Sequence, residues 1–170
     1  NNFGGTWGYG AYNTDLNAIE AVTYEFSRIV LTNNAQLNIG SDDTLIATNT
    51  ELVGNGCPNH GIWISGGTLA APADFSFARM FIAVSATGAT FSPATSLTVG
   101  DNAEFRVDKP HAMACDITVA SGGNLTHTPN PGSQAENYKL DLSLQGNVLV
   151  QNGGAMDVSG RGFPANYGPG

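Results

Sequence analysis

Three neighbouring polar residues are the best candidates for catalytic chemistry in this sequence. Lys109 follows Asp108 and stands two residues before His111, so an amine, a carboxylate and an imidazole lie close together. A polysaccharide lyase or hydrolase needs clustered carboxylates together with a base or a charge-stabilising cation. A polar loop before Pro110 accounts for the same residues without chemistry. We therefore predict no catalytic residue and no enzyme activity.

Acidic residues at predicted corners of the chain could supply oxygen ligands to Ca²⁺. Their spacing is not that of an EF-hand loop, and carboxylates at corners often serve only as solvated turn formers. We predict no cofactor, with Ca²⁺ as the alternative. The candidate ligands are Asp42, Asp43, Asp101 and Asp108.

The two cysteines, Cys57 and Cys115, allow more than one state. They could form one disulfide in an oxidising compartment, or remain two unlinked thiols. The segment at 57–60 carries both Cys57 and His60, but structural zinc requires four ligands and the other candidates are distant in sequence. We predict no zinc site and treat the disulfide as an open possibility.

Aromatic residues form a third group with potential for binding. The glycine-rich start of the chain contains several, and Trp63 alternates with apolar neighbours, so its ring could project outward. Such rings suit contacts with a second chain or stacking on sugars. The candidate assembly or glycan contacts are Phe3, Trp7, Tyr9, Tyr12 and Trp63.

A repeated phrase defines the elements that must position these residues. Alternating apolar residues are followed by a short corner of Gly, Asn, Ser or Ala, and then by a second alternating pair. Alternation over four or more residues predicts a half-buried β-strand. Two further copies at 62–69 and 81–91 bring the count to six. The four clearest copies lie at 29–39, 97–107, 117–126 and 148–158.

The corners favour a parallel β-helix over a sandwich. Two-residue Asn-Gly or Asp-Gly hairpin turns are absent from the phrases, whereas Asn or Gly in a left-handed conformation turns the chain without reversing it. We therefore predict an all-β, parallel β-helix-like solenoid. The alternative is an immunoglobulin-like or jelly-roll β-sandwich, because alternating strands with regular turns also describe that fold.

Three segments follow from this pattern. Residues 1–23 are predicted to be an aromatic and glycine-rich arm or cap, with a short helix at 15–22. Residues 24–160 are predicted to form the repeat domain, in which 41–60 and 128–137 are inserted loops. Residues 161–170 are predicted to be a glycine-rich tail. The sequence also reads as a piece of a longer protein.

Composition limits the function classes. The chain has 170 residues, a formal net charge of −8 and only 12% charged residues. An acidic surface repels phosphate, so we expect no nucleic-acid partner. No apolar stretch is long enough to span a membrane. A charge-poor surface rich in Asn, Thr and Ser suits an extracellular or cell-surface location.

The phrase with its Gly-Gly corner, together with the tail at 153–170, resembles repeat regions of large secreted bacterial surface proteins. Those regions look like right-handed parallel β-helices of the pectin-lyase-like or autotransporter-adhesin type, and the resemblance covers roughly residues 24–160. It implies an extracellular scaffold or adhesin-like segment and transfers no functional residue. We expect a non-catalytic structural protein that self-associates into a filament or sheath, or that contacts neighbouring segments of a longer chain. The alternative is a carbohydrate-binding or polysaccharide-degrading module.

Overall fold

The computed structural model describes residues 13–15, 22–49, 51–55, 59–132 and 135–167. These residues form strands joined by corners and longer loops, and they contain no helix, hence none that could cross a membrane. In chain order the strands are β1 Asn13–Asp15, β2 Thr23–Phe26, β3 Gln36–Ile39, β4 Thr44–Ala47, β5 Glu51–Val53, β6 Gly61–Ile64, β7 Thr68–Ala70, β8 Asp74–Ala78, β9 Phe81–Val84, β10 Ser96–Val99, β11 Glu104–Val107, β12 His111–Met113, β13 Asp116–Val119, β14 Asn124–Thr126, β15 Leu142–Leu144, β16 Val148–Val150 and β17 Ala155–Met156.

The strands stack into three faces of a parallel β-solenoid. Face A is the sheet β1-β3-β6-β9-β11-β14-β17, and face C is the sheet β5-β8-β10-β13-β16. Face B consists of β2-β4-β7, and β12-β15 take the same place in the chain order higher in the stack. The chain visits A, B and C in turn and then returns to A one level further along. We call the strands of one such circuit a rung.

Parallel pairing decides between the two predicted folds. Every strand pair in the described ranges is parallel. Immunoglobulin-like and jelly-roll sandwiches are built from antiparallel strands. The predicted β-helix-like solenoid is therefore confirmed, and the sandwich alternative is wrong for this chain.

The repeated phrase is a corner between two particular faces. Its four clearest copies each lead from face C, or from the face C position at 29–31, into a strand of face A. The copies at 62–69 and 81–91 instead lead from face A toward face B. One phrase in the sequence thus serves two different corners of the solenoid.

A column of left-handed residues runs up the corner between faces C and A. In each case the residue lies two positions before a face A strand, and the strand register aligns these positions. A positive φ lets the chain turn at this corner while its strands stay parallel. The column consists of Asn34 (φ 60°), Arg79 (φ 56°), Asn102 (φ 48°), Gly122 (φ 78°) and Gly153 (φ 81°).

Inward side chains form the core as ladders of apolar residues. On face A the ladder Ile62, Ile82, Phe105 and Leu125 follows the strand register, and all four side chains are buried. Elsewhere in the core the rings of Phe75, Phe91 and Phe105 pack edge to face in succession. Their ring centroids are 5.8 Å apart between Phe75 and Phe91 and 5.7 Å apart between Phe91 and Phe105. Burying each such side chain contributes about 1.5–3 kcal/mol, so stacked rungs stabilise one another.

Three details differ from the sequence interpretation. The segment 41–60 is not an inserted loop, because it contains strands β4 and β5. Asp15, where the predicted helix would begin, belongs to strand β1, and residues 16–21 lie outside the described ranges. The segments 24–31 and 75–82 match in sequence at an offset of 51 residues, with Arg28 and Arg79 in equivalent places, yet β2 lies on face B and β8 on face C.

Candidate functional site at the C-terminal end of the solenoid

The last rung carries its core side chains at the surface. By strand register Val148, Val150 and Met156 stack on Ile117, Val119 and Leu125 of the preceding rung, so they belong to the inward ladders. The three residues of the preceding rung are at most 1% exposed, whereas those of the last rung are 38%, 42% and 52% exposed. We call the face formed by Val148, Val150, Met156 and the outer edges of β15, β16 and β17 the end surface.

Backbone groups of the last rung also face outward. Gln151 N–H donates to the Val119 carbonyl at 2.9 Å, so Gln151 directs its N–H group toward β13. Because hydrogen-bonding direction alternates along a strand, the N–H and C=O groups of Val148 and Val150 point away from β13. The same alternation turns the backbone N–H and C=O groups of Met156 away from β14. The end surface therefore combines apolar side chains with strand edges available for pairing.

Polar groups surround this end without covering it. Asp116 Oδ1 accepts a hydrogen bond from the Asn147 backbone N–H at 2.7 Å. The hydroxyl and backbone N–H of Ser159 both bond to the Asp157 carboxylate and lower the pKa of that group. An apolar centre with a polar rim is the usual composition of a protein–protein interface.

The C-terminal segment is held to the side of the solenoid. The Arg161 guanidinium forms an ion pair with Glu104 at 2.5 Å and donates to the His127 carbonyl at 2.8 Å. The backbone N–H of Asn130 donates to the Arg161 carbonyl at 3.0 Å. These contacts fix the segment against β11 and the loop after β14, and the apolar residues of the end surface stay exposed.

The three residues that most resembled a catalytic group have separate partners. Asp108 is buried and accepts from the Thr128 backbone N–H at 2.6 Å, and burial raises the pKa of its carboxyl. Lys109 Nζ donates to the Asn137 carbonyl at 2.7 Å. The His111 ring bonds to the Phe91 carbonyl at 2.7 Å. Each side chain thus ties a different segment to the solenoid.

The calcium candidates lie at different corners of the fold. Asp101 is exposed beside Arg79, with Nε of Arg79 3.7 Å from its carboxylate. Asp42 and Asp43 lie between β3 and β4. Asp43 is buried, its Oδ1 accepts from Val22 N–H at 3.4 Å, and its Oδ2 has no hydrogen-bond partner among the described residues. In the same ranges no three His, Cys, Asp or Glu residues lie close enough together to hold a metal ion.

Of the two cysteines, the described residues include only Cys115. Cys115 is buried with a free thiol, and burial raises the pKa of that thiol. Cys57 lies outside the described residues. The disulfide between them stays a prediction.

Trp63 is the one aromatic candidate within the described ranges, and it lies on the outer side of face A. Its neighbours Ile62 and Ile64 point into the core, while its indole N–H donates to Gln36 Oε1 at 2.9 Å. Its ring packs edge to face against the Phe81 ring, with 5.0 Å between the two ring centroids. Phe3, Trp7, Tyr9 and Tyr12 lie outside the described residues.

The sequence interpretation missed the residues of the end surface. It included Val148, Val150 and Met156 in the last copy of the phrase but treated them as ordinary core positions. The available signal was their place in the last copy of the phrase, since β16 and β17 are edge strands among the described residues. Comparison with protein-family models, with curated proteins and with solved structures finds no match for this chain.

Proposed function

We propose that this protein is a non-catalytic structural subunit that self-associates through the end of its solenoid. It would serve as a filament or sheath subunit, or as an adhesin-type scaffold segment, outside the cell or at the cell surface. The observation that carries this proposal is the end surface, where the inward ladder of the fold continues into exposed Val148, Val150 and Met156.

A further rung would supply what the end surface lacks, namely backbone groups that pair with its strand edges and apolar side chains that cover its own. Edge strands with unpaired backbone groups are templates for further strands. Covering the half-exposed side chains would contribute about 1 kcal/mol each, in addition to the new backbone hydrogen bonds. The charge-poor composition and the resemblance to repeats of secreted surface proteins support the proposed location.

Sedimentation velocity over a range of concentrations, with and without Ca²⁺, tests this proposal. We expect the wild-type protein to form larger species as concentration rises, and Val150→Lys to remain monomeric, because it places a charge on the apolar end surface. Leu149→Lys is the matched control, since Leu149 is 55% exposed but alternates to the outer side of face C. A wild-type protein that stays monomeric at every concentration would contradict the proposal.

Trp63 supports a second candidate function, glycan binding on face A. Gln36 and Phe81 hold its ring in place on the outer side of face A, and such a ring suits stacking against a sugar. A glycan array on the wild type and on Trp63→Ala would test it. Binding that is lost in the variant, with an unchanged circular dichroism spectrum, would favour this function over assembly alone.

A further inference from the structure

We propose that Met156 is an oxidation site through which hydrogen peroxide controls self-association at the end surface. Conversion of its thioether to a sulfoxide would place a polar group on that apolar surface and separate the assembled copies. This inference rests on the proposed function and adds a modification site, its oxidant and the reversal of the modification.

The three methionines of the chain differ sharply in exposure. Met80 and Met113 belong to the core and are each 2% exposed, whereas Met156 is 52% exposed. Peroxide must reach the sulfur atom to oxidise it, so an exposed methionine reacts before a buried one. A low dose of peroxide should therefore modify Met156 and leave the two core methionines unchanged.

The position of Met156 in the fold links this exposure to assembly. By strand register Met156 stacks on Leu125, which is 1% exposed, so its side chain continues an inward ladder of face A. Among the described residues β17 is the edge strand of that face. Any further strand that pairs with β17 would cover the Met156 side chain. Its sulfur atom therefore lies on the surface that self-association would bury.

The reaction transfers one oxygen atom from peroxide to sulfur. A lone pair of the Met156 sulfur attacks one peroxide oxygen, an S–O bond forms and the O–O bond breaks. The departing oxygen takes up the proton of the new S–OH group and leaves as water. The sulfur is oxidised by two electrons, and the peroxide is reduced by the same two.

A sulfoxide suits the free end surface and opposes the covered one. In a single copy the half-exposed side chain keeps its new oxygen in water, so the fold is preserved. On association that oxygen would leave water and enter the apolar surface that also contains Val148 and Val150. Burying a polar group without a hydrogen-bond partner costs free energy. Oxidation should thus weaken the contact between copies without unfolding them.

The buried cysteine is a poor competitor for the oxidant. The Cys115 thiol is 1% exposed, and burial raises its pKa, which lowers the fraction present as reactive thiolate. Cys57 lies outside the described residues, so the experiment replaces it by serine.

Mass spectrometry and sedimentation velocity on the same samples test the inference in a Cys57→Ser background. After brief treatment with dilute hydrogen peroxide, we expect peptides with Met156 to gain one oxygen atom before peptides with Met80 or Met113 do. At that dose the larger species should be lost, with an unchanged circular dichroism spectrum. Methionine sulfoxide reductases for both sulfoxide epimers, supplied with a dithiol reductant, should restore them.

Two leucine variants in the same background serve as matched controls, because leucine keeps the apolar character and approximate volume of methionine. We expect Met156→Leu to assemble and to remain assembled after peroxide treatment. Met113→Leu should also assemble, but it should lose its larger species in peroxide because it retains Met156.

Other results would overturn the inference and remain distinct from failure of the proposed function. Oxidation of Met80 or Met113 ahead of Met156 would show that exposure does not select the site. Full assembly of protein oxidised at Met156, or peroxide-induced loss of assembly in Met156→Leu, would show that another group controls association. If the untreated protein does not assemble at all, the proposed function fails and the control of assembly fails with it, while the mass spectra still identify the oxidised residue.

Discussion

Single residues at the corner between faces C and A determine how well the chain turns there. Arg79 occupies a left-handed conformation (φ 56°) in a column whose other members are Asn or Gly. A side chain with a Cβ atom costs about 1–2 kcal/mol in that conformation, and Asn tolerates it better than Arg. The ion pair of Arg79 with Asp101 is exposed and contributes little.

We therefore expect Arg79→Asn to raise the free energy of unfolding by about 0.5–1 kcal/mol. Chemical denaturation measures the change. Arg28→Asn is the matched control, because Arg28 holds the similar place in sequence but not a positive φ. A loss of stability in Arg79→Asn would show that the ion pair outweighs the backbone strain.

Two buried or bonded carboxyls should make opposite contributions to the pH dependence of stability. Burial raises the pKa of Asp108 in the folded protein, so its ionisation opposes folding. The contribution of Asp108 to the free energy of unfolding is most favourable below the pKa that this carboxyl has in the unfolded chain. It is lost as pH rises through the pKa that the carboxyl has in the folded protein. Hydrogen bonds from Ser159 lower the pKa of Asp157, so its contribution is present above the unfolded pKa and is lost as pH falls.

We expect the difference in unfolding free energy between wild type and Asp108→Asn to fall as pH rises through the acid range. The difference between wild type and Asp157→Asn should rise over the same range. Urea denaturation at a series of pH values gives both slopes. Equal slopes for the two variants would contradict the assigned directions.

At the scale of elements, the distance between rungs depends on small residues beside the corners. A Cβ atom at Gly123 would lie 2.3 Å from the Val99 carbonyl oxygen of the rung below. That contact is with backbone, so the two rungs would have to separate. Gly88 has a positive φ of 89°, but a Cβ atom there would meet nothing within 4 Å.

Comparing Gly123 with Gly88 separates the effect of rung spacing on stability from the effect of backbone strain. We expect Gly88→Ala to lower the free energy of unfolding by about 1 kcal/mol through the positive φ alone. Gly123→Ala should cost about 3 kcal/mol or more, because it forces stacked backbones apart. Thermal and chemical unfolding of both variants would measure the two effects, and equal losses would count against close rung contact as the cause.

The sequence was informative about strands and corners because both are local. Alternation marks inward residues such as Leu97 and Val99, and Asn or Gly marks a turn that needs a positive φ. It could not show which face a strand joins, because that depends on the number of residues in every preceding circuit. For that reason β2 and β8 have similar sequences on different faces, and β4 and β5 were mistaken for a loop.

The candidate site was harder to predict for the same reason. Val148 and Val119 look alike in sequence, yet one is 38% exposed and the other fully buried. What differs is whether another of the described strands covers the residue, which no local pattern records. Asp108, Lys109 and His111 show the converse, since adjacent polar residues are directed by the fold to three separate partners.

At the scale of the whole molecule, a parallel solenoid has two different ends, and contacts between them repeat without closing. Face A has its outer edges at β1 and β17, and the proposed end-to-end association would extend the solenoid along its axis. Such an assembly would be a filament whose strands lie across its long axis. Function would then depend on length and surface composition rather than on a catalytic pocket.

Fibre diffraction from concentrated wild-type protein, with electron micrographs of the same sample, tests this account most directly. We expect filaments about as wide as one solenoid and a reflection near 4.8 Å along the filament axis, because stacked strands repeat at that spacing. Val150→Lys should give neither. Monodisperse single particles at high concentration, or filaments in which the strand repeat runs across the long axis, would contradict end-to-end stacking of the solenoid.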